Sequence, residues 1–390
     1  MAYGKATSGG GGGRVIKVTN LNASGPGSLR EALKNRGRKI VVFEVGGVID
    51  LKRVKLKITE PNVTIAGQTA PSPGITLIRG GIEVLTHDVI IQHIRVRPGD
   101  AGQAQKSGSF EPDGLATVGG KAYSIIVDHC SFTWSVDENL SASGDRTGVE
   151  NTSHKITFTN NIVAEGLMRS SHLKGNHSMG SLVHDFVQDI AIVGNLYASN
   201  NLRNPFFKAF TKGIVVNNVI FNPGSRAIHM SWSNQELRHL SYQPQNGNIS
   251  VVGNVLIEGP NSSKNLALIG GKGNAYLEDN ITKSLGGRVI PLAIEQIDIL
   301  LKKPTWPSNF QALPADKVIN YVKENVGARP KDRDSIDKRI VEGFVNGNGR
   351  IINSQDEVGG YPKYKAVYRK LNVPATAIDK WLDNYTREVE

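Results

Sequence analysis

A single cysteine, Cys130, stands in 390 residues, so no disulfide within the chain can brace the fold and the thiol reads as a small core residue rather than a nucleophile. Aromatic residues make up only 6% of the chain, too few for the basic-aromatic stripes on which nucleic-acid bases stack. Paired zinc-binding cysteines are absent, as is a glycine-rich loop followed by Lys-Ser/Thr, which removes the usual phosphate-cradle motif. No run approaches the roughly 18 apolar residues that a membrane span requires. Acidic residues are in the minority, with 35 Asp and Glu against 46 Lys and Arg and a formal charge of +11. That excess predicts a polyanionic partner: nucleic acid, an anionic membrane surface or an acidic glycan. The missing motifs argue against the first.

Glycine (43) and proline (17) are abundant, as suits many short strands joined by turns. A repeat runs through the middle of the chain. Short β-rich runs end in a small or polar residue, then Asn or His, then an apolar residue: Gln92-His93-Ile94, Asp128-His129-Cys130, Asn160-Asn161-Ile162, Gly194-Asn195-Leu196, Asn217-Asn218-Val219, Gly253-Asn254-Val255 and Asp279-Asn280-Ile281. The Asn or His positions lie 36, 32, 34, 23, 36 and 26 residues apart. A fixed local pattern with variable spacing predicts a coil of three short strands per turn, in which one corner stays tight and the others accept insertions. Asn suits that corner because it tolerates left-handed backbone and its amide can bond to the next coil. By this alignment His129 takes an Asn position and is structural. A β-sandwich would have to produce the same pattern seven times by chance.

A coil needs capped ends. Ser28 with Glu31 three residues on predicts a short capped helix near the start. Beyond about residue 285 the repeat stops, and 314–322 and 377–382 read as amphipathic helices. The expected division is a coil with its N-terminal cap over 1–284 and a C-terminal extension packed on it over 285–390.

Charge is concentrated in one stretch. Arg169, Lys174, Arg203, Lys208, Lys212, Arg226 and Arg238, with five histidines, lie between residues 169 and 239 against only Asp185, Asp189 and Glu236. Inside a repeat, such a stretch lays cations side by side, a cradle for a chain of carboxylates. Upstream, Glu111 and Asp113 in Glu-Pro-Asp-Gly and Asp137 and Glu138 in Val-Asp-Glu-Asn-Leu-Ser fall on neighbouring coils. Together they form a set of oxygen ligands suited to Ca2+.

Three strings, Val127-Asp128-His129-Cys130-Ser131-Phe132, Lys174-Gly175-Asn176-His177-Ser178-Met179-Gly180-Ser181-Leu182 and Arg203-Asn204-Pro205-Phe206-Phe207-Lys208, resemble successive motifs of the pectate lyases of polysaccharide lyase family 1, in order and approximate spacing. The opening at 12–33 and the string at 351–360 look like bacterial members, so the resemblance covers nearly the whole chain. It implies a right-handed parallel β-helix, all-β apart from its caps, that cleaves an acidic polysaccharide by Ca2+-assisted β-elimination. Position by position it makes Arg203 the base that removes the proton α to the uronate carboxylate. Lys208 becomes a substrate-carboxylate ligand and Lys174 a further catalytic or substrate-binding cation, with His177 its rival. Asp113 and Asp137 become calcium ligands, with Glu111 a third; Arg226, from the cationic stretch, is a further candidate for the substrate. The family's additional Asp is Ser141 here, and Glu138 is expected in its place if the strand bulges.

Proton removal next to a carboxylate builds up negative charge, which requires cations at the carboxylate and a base above it. A hydrolase would need two carboxylates flanking the scissile bond instead, and that reading leaves the cations unexplained. The alternatives are a lyase for another acidic capsular or exopolysaccharide and a non-catalytic glycan-binding β-helix. Met1–Lys5 lacks the charged and apolar regions of a signal peptide. The expectation is therefore an extracellular protein whose export signal lies outside this sequence, or a virion component. It is a monomer acting on an acidic polysaccharide, with no nucleic-acid or membrane partner.

Overall fold

The computed structural model describes Tyr3 and residues 7–390. Short strands dominate, and each finds its partner one coil away rather than next in sequence. Val63–Ala66 pairs with Val89–Gln92, which pairs with Tyr123–Asp128 and then His154–Thr159, all parallel. Among the described residues the strands form an 18-stranded and a 10-stranded sheet. The larger one comprises two faces of the coil, joined because Ile269–Glu278 runs through both. Each turn visits a first sheet, a third sheet across a tight corner and a second sheet after a longer loop. This is the coil of three strands per turn that the repeat predicts, and the right-handed parallel β-helix that the resemblance implies. Among the described residues, one pair of strands is antiparallel, Val367–Tyr368 with Val45–Asp50, besides the isolated antiparallel bridge of Gly144 with Thr152.

The tight corner explains the repeat and corrects its alignment by one residue. Left-handed backbone falls on His93, His129, Asn160, Gly194, Asn217, Gly253 and Asp279, with φ between 47° and 68°. The following residue carries the ladder. Asn161, Asn195, Asn218 and Asn254 each donate Nδ2 to the Oδ1 of the next Asn at 2.9–3.1 Å, ending on Asn280. Each of these five also donates to a carbonyl of the preceding coil, as Asn218 does to Ile192 at 2.9 Å. In this register Cys130, not His129, stands at the ladder position; its N–H donates to Asn161 Oδ1 at 2.9 Å. His129 takes the left-handed place instead. The two positions are confusable because Asn suits both jobs, whereas Cys and His each suit only one. Cys130 is fully buried, and burial pushes its thiol pKa up, as an inert core residue requires.

Inward-facing Val, Ile, Leu and Phe from all three sheets fill one continuous core. The start is capped by Leu29–Leu33, whose N-cap Ser28 accepts from Glu31 N as expected, and Leu29, Ala32 and Leu33 are buried on the coil. The coil also runs further than the 284 boundary, since Gln296–Ile299 still pairs with Ile269–Glu278. The two expected C-terminal helices are present at Ala315–Asn325 and Ile378–Val389, and a third, unforeseen, spans Ser335–Asn346. Val318, Val322, Ile336, Ile340 and Phe344 pack on Ile162, Leu196, Val219 and Phe221 of the third sheet. Ile378–Val389 lies instead on the first sheet, near Ile40, Val42 and Ala66.

Two arginines on the strand Ile94–Arg97 fasten the extension. Both are fully buried: Arg97 pairs with Asp334 at 2.6 Å and Asp337 at 2.8 Å, and Arg95 with Asp337 at 3.1 Å. Burial opposes the charge on Asp334, but Arg97 and Arg95 hold its carboxyl far below the usual range. Because the folded-state pKa is depressed, this stabilisation is complete above about pH 4, the unfolded value, and is lost progressively below it. Asp334→Asn is expected to cost about 3–5 kcal/mol at neutral pH, with the gap to the parent narrowing as the pH falls below about 4, measured by denaturant unfolding across pH. Asn218→Ala breaks the ladder in mid-coil and is expected to lower stability by about 3 kcal/mol by the same measurement.

Candidate functional site

Long loops connect the third sheet to the second, and they bring the candidate residues together. Asp113 precedes the strand Leu115–Val118, Asp137 and Glu138 precede Leu140–Ser143, and Arg203 precedes Phe206–Phe207; these are strands of the second sheet on nearby coils. Backbone bonds hold the loops flush. Asp113 Oδ1 accepts from Glu138 N at 3.1 Å, and Ser181 N donates to Arg203 O at 2.6 Å. Two glycines permit the close approach. A Cβ on Gly114 would stand 2.3 Å from Asn139 O, and one on Gly180 would stand 2.4 Å from Arg203 O. This gives the glycines of Glu-Pro-Asp-Gly and Met-Gly-Ser-Leu a physical reason.

Carboxylate oxygens of Asp113, Asp137 and Glu138 all lie within 4.8 Å of one another. Burial first, and then the charge of Asp137, pushes Asp113 up to about 7. Burial acts on Asp137 too, but the hydrogen bond and charge of His177 outweigh it and hold Asp137 below the usual range. Three crowded carboxylates with one pushed toward its neutral form make a site short of positive charge, which an oxygen-seeking divalent cation relieves. The residues therefore fit Ca2+. Glu138 reaches the cluster from the loop before its strand, so no bulge is needed, while Ser141 is buried within the strand.

Arg203 forms an ion pair with Glu138, and its guanidinium lies 5.5 Å from the Phe206 ring centroid. Burial lowers its pKa, against the pull of Asp137 and Asp113. Lys208 is buried and held by both oxygens of Glu236 at 2.7 Å, and Arg226 is held by both oxygens of Glu295 at 2.7 Å. The cationic stretch is thus not a row of bare charges. Glu138 and Glu295, which neutralise two of its members, come from outside the 169–239 window, and no count along the sequence could have paired them.

Histidines separate the remaining candidates. His177 Nε2 lies 2.9 Å from Asp137 Oδ1, and His172 stacks on His177 at 3.7 Å while facing Asp137 at 3.7 Å and Glu111 at 3.6 Å. Glu111 therefore sits beyond His172, apart from the carboxylate trio, and accepts from Leu173 N at 2.5 Å. Lys174 is exposed on the same loop. His229, stacked on Phe206 at 4.4 Å, is pushed down to about 4 by burial and by Arg226, Arg203 and Lys208, so it is neutral at ordinary pH.

A buried amide relay under the site escaped the sequence reading. Asn139 Nδ2 donates to Asn200 Oδ1 at 3.2 Å, and Asn200 Nδ2 donates to Asn204 Oδ1 at 3.1 Å. It links the neighbour of Glu138 to the neighbour of Arg203. The only trace in sequence is an Asn beside each functional residue, which without a register is indistinguishable from turn chemistry.

The fold and site define the class: a right-handed parallel β-helix bearing an acidic cluster and a half-buried arginine on one face, the arrangement of a polysaccharide lyase. No family model matches the chain. Curated relatives named probable pectate lyase C do: that of Aspergillus flavus is 33% identical over 372 residues, 92% of this chain and 79% of its own length. That of Emericella nidulans is 32% identical over 370 residues, 92% and 78% of the two chains. Two solved structures share the fold. The major allergen of cedar pollen, Jun a 1, superposes with a TM-score of 0.62 at 17% identity, covering 84% of this chain and 92% of its own. A pectate lyase bound to a hexasaccharide does so with 0.58 at 17%, covering 84% and 96%. The chain belongs to the pectate lyase family. The curated relatives come from fungi, so the likeness of the terminal strings to bacterial members has no counterpart among them, and neither does the virion reading.

Asn200→Ala removes one hydrogen bond from each of the buried amides of Asn139 and Asn204 and is expected to lower stability by about 2 kcal/mol, read from denaturant unfolding.

Proposed function

We propose that the chain cleaves polygalacturonate by Ca2+-assisted β-elimination, releasing unsaturated oligogalacturonides outside the cell. One observation carries the reading: the guanidinium of Arg203 rests directly against a carboxylate trio suited to Ca2+. Ca2+ held by Asp113, Asp137 and Glu138 would neutralise the uronate carboxylate and so acidify the neighbouring C5–H.

Arg203, in its deprotonated form, takes the C5 proton. The electron pair left behind forms the C4–C5 double bond and expels the glycosidic oxygen from C4, which takes a proton from solvent water. Glu138 holds the Arg203 guanidinium in place until cation and substrate are bound. Lys208, oriented over Phe206, receives a substrate carboxylate in exchange for Glu236, and Lys174 or His177 contacts the chain on the other side. Arg226 extends the same cationic row once it parts from Glu295. Guanidinium is ordinarily protonated to above pH 12, so turnover rises with pH through the neutral and alkaline range.

Arg203→Ala is expected to reduce turnover about 10²- to 10⁴-fold while the protein stays folded, measured as ultraviolet absorbance of the unsaturated product. Unchanged turnover would remove Arg203 from this role. Chelation is expected to abolish the same signal and added Ca2+ to restore it, with Asp137→Asn raising the Ca2+ requirement. Absence of unsaturated product from every polyuronate supplied would leave a glycan-binding β-helix without the chemistry.

A further inference from the structure

A second cluster lies far from the carboxylate trio in the fold, at the tight corner where Ile378–Val389 crosses the first sheet. His93 and His129 occupy the left-handed positions of consecutive coils, and their rings stack at 5.3 Å. Glu390 Oε1 reaches both, 3.2 Å from His93 Nε2 and 3.2 Å from His129 Nδ1. Asp128 Oδ1 lies 2.8 Å from the same His129 nitrogen, and Asp128 is itself fixed by Gln92 at 3.1 Å and Asn160 at 3.3 Å. One nitrogen from each histidine and one Glu390 oxygen lie within 4.8 Å of one another.

Hydrogen bonding does not account for this arrangement. His93 has no exposed surface, yet neither of its ring nitrogens makes a well-aligned hydrogen bond, nor does His129 Nδ1, although Glu390 and Asp128 stand at ion-pair distance. A buried imidazole whose one carboxylate neighbour is poorly aligned is costly. A proton shared between His129 and the two carboxylates leaves His93 with no better partner than the off-line Glu390 contact. A metal ion would give His93 Nε2, His129 Nδ1 and Glu390 Oε1 a common partner: with bonds of about 2.0–2.1 Å, the ligand atoms of a tetrahedral site stand roughly 3.3–3.4 Å apart, close to the 3.2 Å from Glu390 to each histidine nitrogen. Two imidazoles with carboxylates select a Zn2+-like transition ion, whereas the all-oxygen trio at the proposed active site suits Ca2+. A cavity of about 410 Å³ lined by Gln68, Gln92, Asp128, His129, Thr386 and Glu390 gives the ion a way in.

We infer that His93, His129 and Glu390, backed by Asp128, form a structural site for a Zn2+-like divalent ion that clamps the C-terminal helix to two successive coils of the β-helix. The inference is independent of the proposed reaction. It uses residues that the reaction leaves idle, and it gives the Asp-His-Cys string a purpose beyond the corner.

The test is Zn2+ titration of the full chain, stripped of metal and carrying His172→Gln and His177→Gln so that the pair beside Asp137 cannot bind the ion. Calorimetry is expected to give one Zn2+ per chain together with a rise in Tm. Adding Glu390→Gln, a change at the partly exposed end of a helix that the fold tolerates, is expected to weaken binding at least about ten-fold and remove the Tm rise. His93→Gln provides a second variant with the same expectation. Absence of Zn2+ uptake, uptake unchanged by Glu390→Gln, or stability at this helix that responds to pH but not to Zn2+ would each overturn the clamp.

Discussion

A side-chain amide buried at the corner of a coil has nowhere to place its donors and acceptor except on the next coil. The run from Asn161 to Asn280 meets that demand with its own kind, each Oδ1 taking both the N–H and the amide of the Asn before it. Unpaired, each such group would cost about 1–3 kcal/mol. Paired, the groups fix how one coil stacks on the next. Strand register on all three sheets follows from that stacking, and with it the distance between any two side chains on different coils. The acidic trio, the Arg203–Glu138 contact and the relay through Asn200 are consequences of that register.

Charge in this fold is organised across coils rather than along the chain. Arg203, Lys208 and Arg226 each meet a carboxylate supplied from a distant part of the sequence, so their charges are offset within the protein. Such pairing compensates each cation within the protein itself. The trio differs in kind. Its three acids have one guanidinium and two histidines to balance them, and Asp113 pushed up to about 7 registers the shortfall.

The C-terminal extension is held by polar as well as apolar contacts. Arg95 and Arg97 stand on a β-strand with no solvent exposure, and Asp334 and Asp337 of the extension, together with the carbonyls of Pro73, Ala328 and Asp332, make that position tenable. A charged side chain on a strand otherwise reads as a solvent-facing position. Strand Ile94–Arg97, outwardly an amphipathic alternation, is covered on both faces because helix Ser335–Asn346 and the segment before it lie over it.

Much was legible in the sequence. A recurring Asn with insertions on either side states a coil, because few other architectures repeat a corner while varying everything else. The candidates Asp113, Asp137, Glu138 and Arg203 came from motif strings and meet in space because their loops leave the same side of nearby coils. Residues whose meaning depends on register stayed hidden. His129 was displaced by one position because Asn serves equally as a left-handed residue and as a ladder rung. Glu236 and Glu295 were invisible as partners, Asn200 looked like a turn residue, and His93 could not be joined to Glu390 across almost 300 positions. Local pattern determined the architecture by itself, since backbone conformation and periodicity are properties of neighbours along the chain. Pairing of charges and donors was decided only by the tertiary structure, since those energies depend on distance and burial, which stacking alone sets.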